Sequence, residues 1–281
     1  MGLFYRLENY AKYRALVGEA TYIDITRRAD PARIPQVWKN LQEVVDTYGP
    51  PWVVQLWTKD IAGALHLGEG FLRSLISQGT TITAQITVTG LAGTPFEPLV
   101  PPNVLTQVPR LAALIGGPDH IKWRYDPIIP GVHTTERFWQ LAQEASRMGI
   151  TQGVINFIAP PGRYKRVDRR LARLLPGWAE GMPGYNREWM KAVAKELVAL
   201  AAQVGITLAC CAESAFLAQE VEGLRPAACG DYAWFVTLSG RDPGRVPFKG
   251  SRPGCGCAHY FDVGNYGWWA RCHRCAYCYA G

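Results

Sequence analysis

Six short runs rich in β-branched and aromatic residues recur along the chain, each followed by a stretch of helical composition, and this alternation leaves few folds open. The runs are residues 21–28 (TYIDITRR), 52–59 (WVVQLWTK), 81–89 (TITAQITVT), 120–127 (HIKWRYDP), 152–159 (QGVINFIA) and 206–213 (ITLACCAE). Between them lie segments such as PARIPQVWKNLQEVVDTYG and REWMKAVAKELVALAAQVG, with apolar residues at three- and four-residue intervals and a glycine near the stop. Strand then helix, repeated in one chain, requires parallel strands joined by crossovers, so the choice is a doubly wound sheet or a barrel. No Gly-x-Gly-x-x-Gly follows the first strand, which weakens the dinucleotide-binding alternative. The expected fold is α/β: an incomplete (β/α)6 TIM-like barrel over residues 21–250. A helical extension over 1–20 precedes it, and a cysteine-rich, cluster-binding segment over 251–281 packs on its mouth.

Parallel barrels assemble their active sites at the carboxyl ends of the strands. The polar residues found there are Thr26, Arg27, Arg28 and Asp30, then Thr58, Lys59 and Asp60, then Thr87 and Thr89, then Arg124, Tyr125 and Asp126, then Asn156 and Glu213. Of these, Lys59, Arg124 and Asp126 are expected to act on a substrate, and Arg27, Arg28 and Asn156 to contact a cofactor. Taken singly, each also reads as a loop salt bridge or a cap.

A net charge of +7 favours an anionic partner such as nucleic acid or a phosphorylated metabolite. The densest basic run holds Arg163, Lys165, Arg166, Arg169, Arg170 and Arg173, and helical spacing puts Arg166, Arg170 and Arg173 on one face. That face suits a phosphate backbone, and equally a solvated arginine-rich helix. No apolar stretch reaches the 18 to 20 residues of a membrane span, and the first residues carry charges where a signal peptide has an apolar core. The chain reads as cytoplasmic, with no membrane partner.

Cysteine is the compositional outlier: all eight lie beyond residue 209. A secreted disulfide scaffold would spread its cysteines through the fold, whereas a late cluster points to metal or redox chemistry. From Arg252 the chain reads RPGCGCAHYFDVGNYGWWARCHRCAYCYAG, almost without aliphatic residues. Such a stretch cannot build its own core, and its thiols exceed what one tetrahedral ion requires. Zinc would take four of them, for example Cys255, Cys257, Cys272 and Cys275. An iron-sulfur cluster with an open iron would take the three close ones, Cys272, Cys275 and Cys278, and this second reading is favoured because no adjacent fourth cysteine follows. Cys211, Cys229, Cys255 and Cys257 then equal the ligand number of a second cluster. Cys210 points to the other side of its strand and is expected in the core.

The end of the chain, CAYCYA, resembles the second half of the radical S-adenosylmethionine (radical SAM) motif. From about residue 21 onward the chain is also similar to an uncharacterised prokaryotic family that carries such a motif at its C-terminus. The matching segments are ITRRADPARIP, LWTKD, EPLVPPN, IKWRYDPI, the CAE at Cys211, Cys229, CGC, DVGNY and CAYCYA. The resemblance implies a [4Fe-4S] cluster on Cys272, Cys275 and Cys278, S-adenosylmethionine as cofactor, and Tyr277 as the aromatic residue packed near its adenine. It also implies an electron donor such as ferredoxin or flavodoxin. The motif has three residues between its first two cysteines, but Cys272 and Cys275 enclose only His273 and Arg274. That leaves Cys272 or His273 as the first ligand, with a surface histidine beside a ligand the commoner arrangement.

On this reading the protein generates a 5'-deoxyadenosyl radical that abstracts hydrogen from a substrate, anionic or nucleic acid in keeping with the charge. Two rivals remain. One is a zinc-stapled nucleic-acid-binding protein that uses the arginine helix with Tyr266, Trp268 and Trp269 as a stacking surface. The other is an iron-sulfur protein that only transfers electrons.

Overall fold

Parallel strands and the helices that cross between them build one eight-stranded sheet in a computed structural model, which describes residues 5–182, 184–211, 214–246 and 256–280. The strands are β1 (Tyr22–Ile25), β2 (Val53–Thr58), β3 (Thr81–Thr87), β4 (Ile121–Ile128), β5 (Gln152–Phe157), β6 (Thr207–Cys210), β7 (Arg225–Pro226) and β8 (Phe261–Asp262). Their order is β7-β6-β5-β4-β3-β2-β1-β8, and every pairing is parallel. The six runs expected as strands are β1 to β6. The two-residue strands β7 and β8 are too short for periodicity to reveal. Chain neighbours are sheet neighbours from β1 to β7, so the order never reverses as it does in a doubly wound sheet.

The helices among the described residues are α1 (Leu7–Val17), α2 (Pro35–Tyr48), α3 (Ile61–Ser77), α4 (Val108–Ile115), α5 (Thr135–Arg147), α6 (Lys165–Leu171), α7 (Arg187–Gln203), α8 (Leu217–Glu220) and α9 (Tyr232–Ser239). In α2 the buried apolar residues are Val37, Trp38, Leu41, Val44 and Val45, the stripe an amphipathic helix turns to a core. Side chains at the N-caps take orphan amides: Asp60 accepts from Gly63, Thr134 from Arg137, Asn186 from Trp189 and Asp231 from Trp234. Gly49 ends α2 at φ 82°, a backbone conformation that costs a side chain dearly. No helix among the described residues is long and apolar enough to cross a membrane.

Packing between α2 and α3 depends on the absence of one side chain. A Cβ on Gly68 of α3 would stand 2.2 Å from the Trp38 ring, and that indole is tied by its N–H to the Pro31 carbonyl at 3.0 Å. Gly68→Ala is therefore expected to destabilise the fold by about 1–3 kcal/mol despite the gain in helix propensity, read as a lower urea midpoint. An unchanged midpoint would show that the ring yields.

Strand side chains alternate between two faces. One face is apolar: Ile23 and Ile25, Val54 and Leu56, Ile82, Ala84 and Ile86, Ile121 and Trp123, and Leu208 with Cys210 all join the core, as expected for Cys210. The opposite face is polar and also buried, with Asp24 and Gln55 at 0% exposure, Gln85 at 1% and Arg124 at 6%. Buried polar groups on such a scale must be bonded to one another.

Strand β8 brings the tail beside β1, with Ile23 paired to Phe261 and Asp24 to Asp262. Helix α1 lies against the same edge: the Tyr13 hydroxyl donates to the Tyr22 carbonyl at 2.9 Å and accepts from its amide at 2.6 Å. The buried core includes both Tyr10 of α1 and Cys275 of the tail.

Candidate functional site

The loops that leave the carboxyl ends of the strands surround a cavity of about 560 Å³. Its lining includes the seven non-cysteine residues given a role from sequence, Arg27, Arg28, Lys59, Arg124, Asp126, Asn156 and Tyr277; of the other strand-end polar residues Thr26, Asp30, Thr58 and Thr87 line it, whereas Asp60, Thr89 and Tyr125 do not. It also includes Cys211, Cys229, Cys257, Cys272, Cys275 and Cys278. Cys255 and Glu213 lie outside the described residues.

The four strand-end cations each hold a protein carboxylate. Arg27 pairs with Asp24 and lies 3.9 Å above the Tyr260 ring. Arg28 pairs with Asp262 at 3.6 Å, Lys59 with Glu97 at 2.9 Å, and Arg124 with Asp126. Burial pushes the Asp24 carboxyl up to about 6 even against the pull of Arg27.

A chain of hydrogen bonds runs across the polar face from strand to strand. Tyr22 donates to Asp24 at 2.5 Å, and Gln55 donates to the Tyr22 hydroxyl at 2.8 Å. Arg124 donates to Gln85 Oε1 at 2.9 Å, and Asn156 donates to Asp126 at 3.2 Å. Gln55 and Gln85 also send their amides to one acceptor, the Cys229 carbonyl, at 2.9 Å and 2.7 Å. Sequence reasoning missed both glutamines, although each interrupts an apolar run, in WVVQLW and in TITAQIT.

Three thiols meet where that network ends. Cys211 Sγ and Cys229 Sγ are 3.7 Å apart, and the Cys257 thiol is hydrogen-bonded to Cys229. Cys211 takes a 3.7 Å contact from Asn156 Nδ2, and Cys257 Sγ accepts the Gly230 amide at 3.5 Å. The hydrogen bonds from Cys211 and Cys257, with the charges of Arg124 and Arg27, hold the Cys229 thiol well below its ordinary range. Cys257 is thus grouped with Cys211 and Cys229, whereas the four-ligand zinc set considered from sequence would group it with Cys272 and Cys275.

The tail closes the cavity with a second set. Cys272 Sγ accepts the Asp30 amide at 3.3 Å, and burial pushes its thiol up to about 12. Burial likewise raises Cys275, against the pull of Lys59. Next to Cys272, His273 is 1% exposed, which corrects the surface placement expected for it. Its Nδ1 lies 2.9 Å from the Leu99 carbonyl and its Nε2 lies 3.0 Å from Asp30 Oδ2. Both partners are acceptors, and although burial works against the charged form, the Asp30 hydrogen bond and charge raise the His273 pKa and so favour an imidazolium that donates from both nitrogens.

The arginine run is also placed differently from its sequence reading. Arg170 turns inward, donating through Nε to the Ala276 carbonyl at 2.8 Å and through its terminal nitrogen to the Cys278 carbonyl. Its guanidinium lies 4.8 Å from the Trp269 ring, whose N–H donates to the Cys275 carbonyl at 3.0 Å. So Arg170 and Trp269, two members of the expected nucleic-acid surface, hold the cysteine turn from behind. Helix α6 ends at Leu171, so Arg173 lies beyond the helix on which it was expected to share a face with Arg166 and Arg170. On the cavity side, Tyr277 donates to Glu97, and Lys59 Nζ is 5.4 Å from its ring. Glu97, 1% exposed, was not singled out from sequence.

Among the described residues, no three His, Cys, Asp or Glu side chains converge on a point that would hold a metal ion. A polynuclear cluster is larger than an ion and takes its thiolates from farther apart, so the tail set is a donor set of the right chemistry for one.

The profile of a family described as "Domain of unknown function (DUF1848)" matches residues 35–280. No curated protein matches the chain. Among solved structures, the carboxyl transferase domain from Rhizobium etli pyruvate carboxylase with 3-hydroxypyruvate is similar at 14% identity and a TM-score of 0.26. The match covers 85% of this chain and 50% of that one, so the chain spans about half the length of that structure.

Proposed function

We propose, from the premise that the chain belongs to the DUF1848 family, that it is a radical SAM enzyme whose [4Fe-4S] cluster binds Cys272, Cys275 and Cys278 at the mouth of a TIM-like barrel. One observation carries the reading: a short tail segment contributes three cysteines, Cys272, Cys275 and Cys278, and Tyr277 to the lining of one cavity, at the carboxyl ends of parallel strands. The unreversed strand order supports the barrel over a wound sheet. Three cysteines with no fourth in their turn would leave one iron without a protein ligand.

When bound, the cluster would supply the electron that cleaves S-adenosylmethionine to a 5'-deoxyadenosyl radical, with ferredoxin or flavodoxin as its electron donor. The chain's own residues do the rest. Glu97 and Lys59 fix Tyr277 against the site where the adenine is expected. Arg27, Arg28 and Asn156 border the remaining space for the cofactor, and Lys59, Arg124 and Asp126 border that for the substrate. Because every one of these cations already holds a carboxylate, an anionic or nucleic-acid substrate would have to displace one. The aromatic side chains of Trp57, Tyr260 and Trp269 in the lining would help keep water from the space a radical would occupy.

Anaerobic reconstitution with iron and sulfide, then reduction in the presence of S-adenosylmethionine, tests the reading. The expected result is a brown protein with a low-temperature paramagnetic signal that forms 5'-deoxyadenosine. A redox-active cluster that leaves S-adenosylmethionine intact would make the protein an electron carrier. Colourless protein that binds DNA or RNA in a salt-sensitive way would favour the zinc-stapled alternative.

A further inference from the structure

We propose that the face built from α6 and the cysteine turn is the docking surface of an acidic protein that delivers electrons, one at a time, to the tail cluster. This rests on the reading that the tail cysteines hold an iron-sulfur cluster, and not on what that cluster then does.

Charge is the first argument. Between Lys165 and Arg173 the chain carries Lys165, Arg166, Arg169, Arg170 and Arg173 against a single acid, Asp168, and residues 266–281 contain no Asp or Glu. Asp168 is engaged elsewhere, accepting from the Gly162 amide at 3.1 Å and from the Trp178 indole at 3.0 Å. Lys165, Arg166, Arg169, Arg173, Arg271 and Arg274 are all exposed, and among the described residues none of them forms an ion pair. Exposed cations elsewhere do: Arg73 and Arg110 both hold Glu69, and Arg187 holds Glu220. A helix that is merely solvated intersperses acids three or four positions from its bases. On this face the cations repel one another, and the carboxylates of a partner would answer them.

Position is the second argument. Arg170 of the same helix donates to the Ala276 and Cys278 carbonyls, and Arg166 and Arg169 are near enough for their charges to act on it. Tyr164, at the start of α6, stacks on Tyr279 at 5.9 Å, and Tyr279 is 50% exposed one residue beyond Cys278. A carrier bound here stands beside a cluster ligand, which matters because electron tunnelling slows steeply with distance. Redox encounters are small and transient, and they gain their rate from charge steering instead of area.

A phosphate backbone is the other polyanion such a face could meet. The stripe that would track it is broken, because Arg170 and Trp269 are committed to the turn and Arg173 lies past the end of α6. Inside the cavity, Arg27, Lys59 and Arg124 already hold carboxylates, which leaves no ready anchor for a phosphate there.

The full chain, reconstituted anaerobically with iron and sulfide, is mixed with an acidic flavodoxin in its hydroquinone form. In the step followed, the flavin gives up one electron and becomes the semiquinone while the cluster gains that electron; no bond forms or breaks. The rate constant should fall at least tenfold between low salt and about 0.5 M salt. It should also fall at least tenfold when Lys165→Glu, Arg166→Glu and Arg169→Glu are combined. Iron content, and reduction by photoexcited deazaflavin, which is uncharged, should match the wild type. Should the triple variant not fold, the salt dependence of the wild type and the single changes Arg166→Gln and Arg169→Gln decide the matter. A rate insensitive to salt and to substitution, or equal slowing with deazaflavin, would overturn the proposal. So would salt-sensitive binding of single-stranded RNA or DNA that is lost in the variant while reduction by flavodoxin is kept. A protein that takes up no iron fails earlier, at the cluster itself, and the iron count tells that failure apart from a failure of docking.

Discussion

Serine in place of Cys275 is expected to leave a folded protein that assembles no tail cluster and forms 5'-deoxyadenosine at below about one hundredth of the wild-type rate. Losing a partner of a metal ligand commonly costs 10- to 100-fold, so losing the ligand itself should reach at least that. The fold should survive because the backbone of the turn is held by groups other than its thiols. Trp269 donates to the Cys275 carbonyl, and Arg170 donates to the carbonyls of Ala276 and Cys278. A serine hydroxyl is close to isosteric with the thiol it replaces and leaves all three bonds in place. Iron analysis after reconstitution, with circular dichroism and a thermal melt of the metal-free protein, separates the two effects. Normal cluster content in Cys275→Ser would remove this residue from the ligand set.

Asp30→Ala is expected to be the most damaging single change to stability, costing about 3–5 kcal/mol, because it leaves a buried charge and several donors without their acceptor. One Asp30 oxygen accepts from the Thr58 hydroxyl at 2.8 Å and the Ala32 amide at 2.9 Å. The other accepts from the Lys59 amide at 2.6 Å and from His273 at 3.0 Å. The pair also predicts a pH profile. Burial works to raise the Asp30 pKa, but the His273 hydrogen bond and charge bring it below its ordinary 3.8. The contribution of Asp30 is therefore present above about 3.8 and fades as pH falls through the depressed value. For His273 burial works the other way, yet the bond to Asp30 raises its pKa above 6.5. Its contribution is full below about 6.5 and is lost as pH rises through the raised value. Urea midpoints measured against pH should form a plateau between these limits, and Asp30→Asn should lose the alkaline slope. An alkaline slope that persists in Asp30→Asn would assign it to another group.

Strands β1 to β6 were legible because short runs such as ITAQITV, dense in β-branched residues, favour strand over helix, and their parallel pairing gathered most of the strand-end residues into one cavity. What sequence could not give was the direction in which a side chain turns. Helical spacing gave Arg170 a face but not the neighbour of that face, and the neighbour proved to be the cysteine turn. His273 looked exposed because its partners, Leu99 and Asp30, are remote in the chain. Gln55 and Gln85 could have been found, since a buried strand tolerates an amide only where something accepts from it. Their acceptor, a carbonyl in the loop after β7, had no signature of its own.

The contacts that hold the tail over the cavity join residues far apart in the chain: 243 positions separate Asp30 from His273, and 180 separate Glu97 from Tyr277. Closing loops of that length is entropically costly and slow, so the strands and their crossovers have to be in place before the turn can dock. The same logic operates in reverse, because a segment tied down by a few long-range polar contacts detaches at lower free energy than the sheet beneath it. The cysteines are consequently reachable on an otherwise finished body, both during biogenesis and in transient openings afterwards. A cluster of the kind proposed would then have a stage of its own for delivery, after folding of the sheet and before the cavity is sealed.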